Sequence, residues 1–209
     1  MATIAAPGKI SGAPAISAAL FQKDHFRTRQ TRFSLASRLY FYDQEGKTLA
    51  FVRNLSLHWN KELRIFTDPG LSFELLTITP TKKDAGEKAF AVFDPVNRES
   101  VGRIKIPRAA GFQKQEWTLV DATGLQVGHL QEDSAMLGAM RRYLSDAFPQ
   151  TYTFYGEDRL AGHASLMNGI FSPEMEIDLR DDDENRLDRR LVVAVLVLVM
   201  SRQMQQVKS

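Results

Sequence analysis

Ten consecutive apolar residues, Leu191 to Met200, lie near the end of this 209-residue chain, between Arg189–Arg190 and Arg202. No other feature narrows the fold more, because such a run needs apolar surroundings on every side. As a helix it spans about 15 Å, half of the ~30 Å hydrocarbon core of a bilayer. The flanking charges Asp188, Arg189, Arg190 and Arg202 forbid extension, so it fails as a transmembrane segment. Strand and helix remain. The five valines favour a strand, and their helix penalty sums to roughly 2–3 kcal/mol. Burial of each such side chain is worth about 1.5–3 kcal/mol and outweighs that penalty. The approach "DLRDDDENRLDRRL" places Asp181 three residues before Glu184 in a capping-box-like pair, with acidic residues where a helix dipole favours them. Leu187, Leu191, Val195 and Leu198 follow at helical spacing, which predicts a helix over about 184–203. A helix apolar on all sides must be buried on all sides. Among half-wet strands, the lumen of a barrel offers that environment. Periodicity alone leaves the strand open as an alternative.

The rest of the chain repeats a β-rich run, an Asp with a nearby Gly, and a second β-rich run. The copies are "LYFYDQEGKTLAFV", "LRIFTDPGLSFELLTI", "AFAVFDPVNRESVGRIKI" and "EWTLVDATGLQVGHL". Their aspartates, Asp43, Asp68, Asp94 and Asp121, are 25, 26 and 27 residues apart. Asp bonds its own backbone in such turns, and Gly accepts the positive φ of tight hairpins. "YTFYGEDRLAGHASL" is a looser fifth copy and "MEIDLR" a last strand-like run. Alternation is clearest in "GRIKI" and "EMEIDLR", where Ile104 and Ile106 oppose Arg103 and Lys105, and Met175, Ile177 and Leu179 oppose Glu174, Glu176, Asp178 and Arg180. "NLSLHWN" repeats the pattern with Leu55, Leu57 and Trp59. One face wet and one packed is the mark of a half-buried antiparallel sheet. Many such strands joined by hairpins split into a sandwich or close into a barrel. A helix is expected over "SAMLGAMRRYLSDAF", with Ser134 as N-cap and Gly138 weakening it.

Residues 1–20 are rich in Ala, Gly, Pro and Ser and read as a flexible arm, leaving 21–209 as a single domain. The absence of cysteine excludes disulfides and thiolate metal sites. A net charge of +2 argues for no nucleic-acid partner, and no motif supplies one.

The hairpin repeats, "LGAMRRYL…FPQTYTFYGEDRLAGHA", "FSPEMEIDL" and "RLDRRLVVAVLVLV" together resemble the LURP-one-related family, in a bacterial-type member. That family is a branch of the Tubby C-terminal-like superfamily, to which phospholipid scramblases also belong. The resemblance spans roughly residues 20–203 and rests on the order of these elements, none of which is diagnostic by itself. It implies a closed antiparallel barrel of about twelve strands around a hydrophobic C-terminal helix, a mostly β fold.

Chemistry is sparse. His25, His58, His129 and His163 have no ligand spacing and read as structural residues, not metal ligands. "GHASLMNG" is no nucleophile elbow, and phosphate-cradling glycine motifs are absent, so no cofactor is expected. A barrel filled by its own helix leaves little room for a substrate, and no enzyme is expected. The acidic group Asp178, Asp181, Asp182, Asp183 and Glu184 matches the place of a proposed calcium segment in scramblases, but the EF-hand order is missing and helix capping is the favoured role. Arg103 and Lys105, with Arg108 and Lys114 in the following loop, form a candidate anion or lipid head-group patch; Arg27, Arg29 and Arg32 alternate near the N-terminus. Tubby domains hold phosphoinositides on basic barrel walls, a likeness of kind only. The expectation is a non-enzymatic binding or scaffold protein, cytoplasmic or peripheral at the inner membrane surface, meeting an anionic phospholipid or a protein partner. A scramblase-like lipid handler, or a small-molecule carrier or hydrolase with an open lumen, is the alternative.

Overall fold

The computed structural model describes residues 19–31, 37–55, 60–81, 88–106, 116–133, 149–167 and 172–206, with side chains through Arg202. The chain runs β1 (His25–Thr31), β2 (Arg38–Tyr42), β3 (Thr48–Arg53), β4 (Leu63–Phe66), β5 (Glu74–Pro80) and β6 (Lys88–Asp94). It continues with β7 (Glu99–Ile106), β8 (Glu116–Asp121), β9 (Gln126–Glu132), β10 (Gln150–Gly156), β11 (Arg159–Met167), β12 (Glu174–Asp178) and the helix α1 (Arg189–Gln206). Each strand lies antiparallel to the next, and β12 pairs back onto β1 from His25↔Asp178 to Arg29↔Glu174. The barrel is therefore closed, with no free edge to cap.

The five repeats seen in the sequence are five hairpins: β2–β3, β4–β5, β6–β7, β8–β9 and β10–β11. Each carries a register shift just before its turn, at Phe41/Tyr42, Ile65/Phe66, Val92/Phe93, Leu119/Val120 and Phe154/Tyr155. Such bulges sharpen the local twist, which a closed barrel needs. The turn aspartates do what their chemistry predicts. Oδ1 of Asp43 accepts the Lys47 N–H at 2.8 Å, that of Asp68 the Gly70 N–H at 2.7 Å, and that of Asp121 the Thr123 and Leu125 N–H groups at 2.9 Å. Gly46 (φ 83°) and Gly124 (φ 97°) take the left-handed positions of their turns, but in "DPGL" that role falls to Leu71 (φ 62°) and not to Gly70. The turn after Asp94 uses Arg98 (φ 56°) and the fifth hairpin Glu157 and Asp158 (φ 49° and 63°), so the expected glycine holds this position in only two of the five hairpins.

Alternate side chains fill the lumen. Leu191 to Met200 are each at most 1% exposed, so α1 is the buried post that the apolar run required. The helix begins later than its sequence suggests, at Arg189 and not near 184. Residues 179–187 instead make two tight turns, with the Asp182 N–H bonded to the Leu179 carbonyl and the Asn185 N–H to the Asp182 carbonyl, both at 3.0 Å. The N-cap is Asp188, whose Oδ1 accepts the Arg190 N–H at 2.8 Å. The Asp181–Glu184 pair therefore caps nothing. Leu187 lies outside the helix, just ahead of the cap, yet is buried over Gly128 and Gly156. Leu20 is a core residue at 1% exposure.

The outward positions carry Arg27, Arg29, Arg64, Arg103, Lys105 and Glu176, the reverse of the apolar band of a bilayer-spanning barrel. No described helix is long and apolar enough to cross a membrane. The helix expected over 134–148 and the strand pattern at Leu57 and Trp59 lie outside the described residues.

Candidate functional site

Alternation on β7 sends Ile104 and Ile106 inward and turns Arg103 and Lys105 outward, as their sequence order dictates. Across the sheet Arg103 sits opposite Ala91 and Val120, and Lys105 opposite Ala89 and Thr118. Neither cation forms an ion pair among the described residues. Phe93, also on β6, is 42% exposed. The result is a flat wall of two cations over small and apolar neighbours, with an aromatic side chain nearby. Arg108 and Lys114, expected to extend it, lie outside the described residues.

Several other basic side chains are spent on carboxylates, although Arg27 and the cross-strand pair Arg38 and Arg53 form no ion pair among the described residues. Arg64 bridges Glu62 and Glu74 at 2.6 and 3.4 Å, and Arg29 meets Glu174 at 3.1 Å. Arg180 clasps Asp178, and holds that carboxyl down at about 2 against the opposing effect of burial.

The acidic segment is an ion-pair cluster at the helix entry. Asp182 is buried and receives the Arg186 and Leu187 N–H groups at 2.9 and 3.1 Å and the Arg189 guanidinium at 2.6 Å. Arg189 also reaches Asp24 at 2.7 Å, and Glu184 pairs with Arg186 at 2.9 Å. Among the described residues no three His, Asp or Glu side chains converge as a metal site. Beside this cluster a shallow hollow between Phe21, Asn97, Leu187 and Arg190 opens to solvent.

The described histidines have structural partners. His25 Nε2 meets Glu176 at 2.9 Å, His163 Nδ1 meets the Thr153 hydroxyl at 3.2 Å, and His129 stacks on Tyr155 at 4.7 Å. His58 lies outside the described residues.

A second basic surface lies across the barrel from β7, on β1, β2 and β12. There Arg27, Arg29, Tyr42, Gly46 and Glu174 line a groove of about 250 Å³. The alternation of Arg27 and Arg29 marks half of it in the sequence. Tyr42 and Glu174 join them only through the β1–β2 and β1–β12 pairings, which no local pattern shows.

Comparison with known proteins returns nothing: no family model, no curated protein and no solved structure matches the chain.

Proposed function

We propose that this is a non-enzymatic binding protein of the LURP-one-related type, peripheral at the cytoplasmic face of an anionic membrane, with β7 as its contact wall. The observation that carries this reading is the unpaired outward couple Arg103 and Lys105, set among Ala89, Ala91, Thr118 and Val120 with no carboxylate against it. Elsewhere on the barrel, Arg29, Arg64 and Arg180 are neutralised by acidic neighbours. A flat cationic wall suits a plane of head groups better than a single enclosed ligand. Each cation near such a surface contributes about 1 kcal/mol. Phe93 adds an apolar contact at the same wall. The helix occupying the lumen supports an exterior working surface over a carrier or hydrolase cavity.

Co-sedimentation with vesicles containing phosphatidylserine tests the reading. Binding should exceed that to phosphatidylcholine vesicles and fade with salt. Arg103→Glu with Lys105→Glu should weaken it roughly thirtyfold or more, the loss of two ~1 kcal/mol contributions. Equal retention on neutral vesicles, or an unaffected double variant, would remove the proposal.

A further inference from the structure

We infer that the β1–β2 groove is a separate site for a tetrahedral phosphate group, either a free phosphate or a phosphomonoester head group. The argument begins with Arg27. Its partner on β12 is Glu176, the obvious carboxylate to neutralise it. Glu176 is instead bonded to His25, whose other ring nitrogen is held by Gln44. Arg27 has no ion pair among the described residues, and its guanidinium lies over Gly46, with Nη2 3.6 Å from where a Cβ there would sit. The β2–β3 turn, whose Gly46 bears no side chain, gives the cation a seat facing the groove.

Three donors line the same groove. Arg27 and Arg29 stand two residues apart on one face, about 6.5–7 Å between Cα atoms. Tyr42 faces Arg27 across the β1–β2 ladder, stacked on Tyr40 at 6.0 Å, which fixes its ring. Burial first, and then Tyr40, holds the Tyr42 phenol above its ordinary value although Arg29 and Arg27 pull the other way. It therefore remains an O–H donor at neutral pH. Two guanidiniums and a phenol along one groove supply more donors than the two oxygens of a carboxylate can take up, and suit the three free oxygens of a phosphomonoester. Glu174 tempers the site: it pairs with Arg29 at 3.1 Å and opposes an incoming anion. Its removal should strengthen binding.

This site does not depend on the β7 wall, which lies six strands away in either direction around the barrel. The test is calorimetric titration of the full chain with inorganic phosphate, and flotation with phosphatidate against phosphatidylserine vesicles, which are anionic but offer no phosphomonoester. Wild type should bind phosphate saturably at one site, or bind phosphatidate vesicles selectively. Arg27→Gln and Tyr42→Phe should each weaken that binding at least fivefold, and Glu174→Gln should tighten it at least twofold. Arg103→Glu with Lys105→Glu separates the two surfaces: it should weaken vesicle binding through the β7 wall and leave calorimetric binding of inorganic phosphate unchanged. If Arg27→Gln acts on both probes, the source is a lipid head group; if on inorganic phosphate alone, it is a soluble phosphate. Thermal melting verifies folding, and Arg27→Gln, on the exposed wall, carries the test if Tyr42→Phe disturbs the aromatic stack. Neither probe binding, binding indifferent to Arg27→Gln, or weaker binding by Glu174→Gln overturns the assignment.

Discussion

Arg189 and Asp182 meet inside the mouth of the barrel: Nη1 lies 2.6 Å from Oδ2, with the two side chains 7% and 0% exposed. The contact joins the first turn of α1 to the turns that lead into it, and Asp182 also holds the Arg186 and Leu187 N–H groups. Removing one partner of a buried pair costs about 3–5 kcal/mol; without Asp182, Arg189 keeps only the half-exposed Asp24, and two backbone N–H groups lose their acceptor. Asp182→Ala should lose that much stability in urea unfolding. A loss below about 1 kcal/mol would mean that water reaches the pair.

Val195 is fully buried at the middle of α1. Val195→Asp places an unpaired carboxylate where no side of the helix is wet, and it should not yield a folded protein. Val195→Ala should fold with a loss on the order of 2 kcal/mol, since it leaves only a small cavity. A cooperatively melting Val195→Asp variant would contradict the filled lumen.

Gly128 sits under Leu187. A Cβ added there would lie 2.4 Å from the Tyr155 carbonyl oxygen and 2.5 Å from Leu187 Cδ2. The backbone contact cannot yield as a side chain can, so Gly128→Ala should destabilise by about 1–3 kcal/mol through overpacking. Gly124→Ala meets nothing within 4 Å but must adopt a φ of 97°, so its loss should come from backbone strain alone. Adding Leu187→Ala should recover part of the Gly128 cost and none of the Gly124 cost, as a double-mutant cycle in chemical denaturation would read.

Acid should loosen the same end of the barrel. Burial pushes the Asp94 carboxyl up, but the Asn97 backbone, the Arg190 guanidinium and the Asn97 side chain together hold it below its ordinary value. Asp178 is held at about 2 by Arg180. Carboxyls depressed in the folded state stabilise it above their unfolded value, and that contribution disappears as pH falls through the folded one. Stability should therefore decline from about pH 4 towards 2. In Asp94→Asn the decline should be shallower, starting from a lower plateau at neutral pH. An identical acid profile for the variant would show that Asp94 contributes nothing to it.

Much of this architecture was legible because burial and turn chemistry write short-range patterns. Leu191–Met200 had no wet side, which demanded burial all round but left a buried strand open beside a helix in a lumen. Asp43, Asp68 and Asp121 announced their hairpins through bonds that stay within four residues. Arg103 and Lys105 were visible as the polar half of an alternation. β1 was hidden for the opposite reason. Its inward side presents Thr28 and Gln30, both fully buried, so "RTRQT" shows no contrast between faces. The start of α1 was misplaced because aspartates at 181, 182, 183 and 188 all resemble caps, and tertiary pairing with Arg189 selects among them. The β1–β2 groove needed Glu174 beside Arg29, a proximity created by closure alone.

The seam between β1 and β12 brings His25 against Glu176 across 151 residues of chain. The wall strands are all made before the segment that fills them, and the first strand waits for the last to complete the circle. Until residues 189–206 emerge, the inward leucines, isoleucines and phenylalanines line an unfilled sleeve. Closing the seam and filling the lumen both wait for the last fifth of the chain, so the contacts that complete the barrel are among its most distant in sequence.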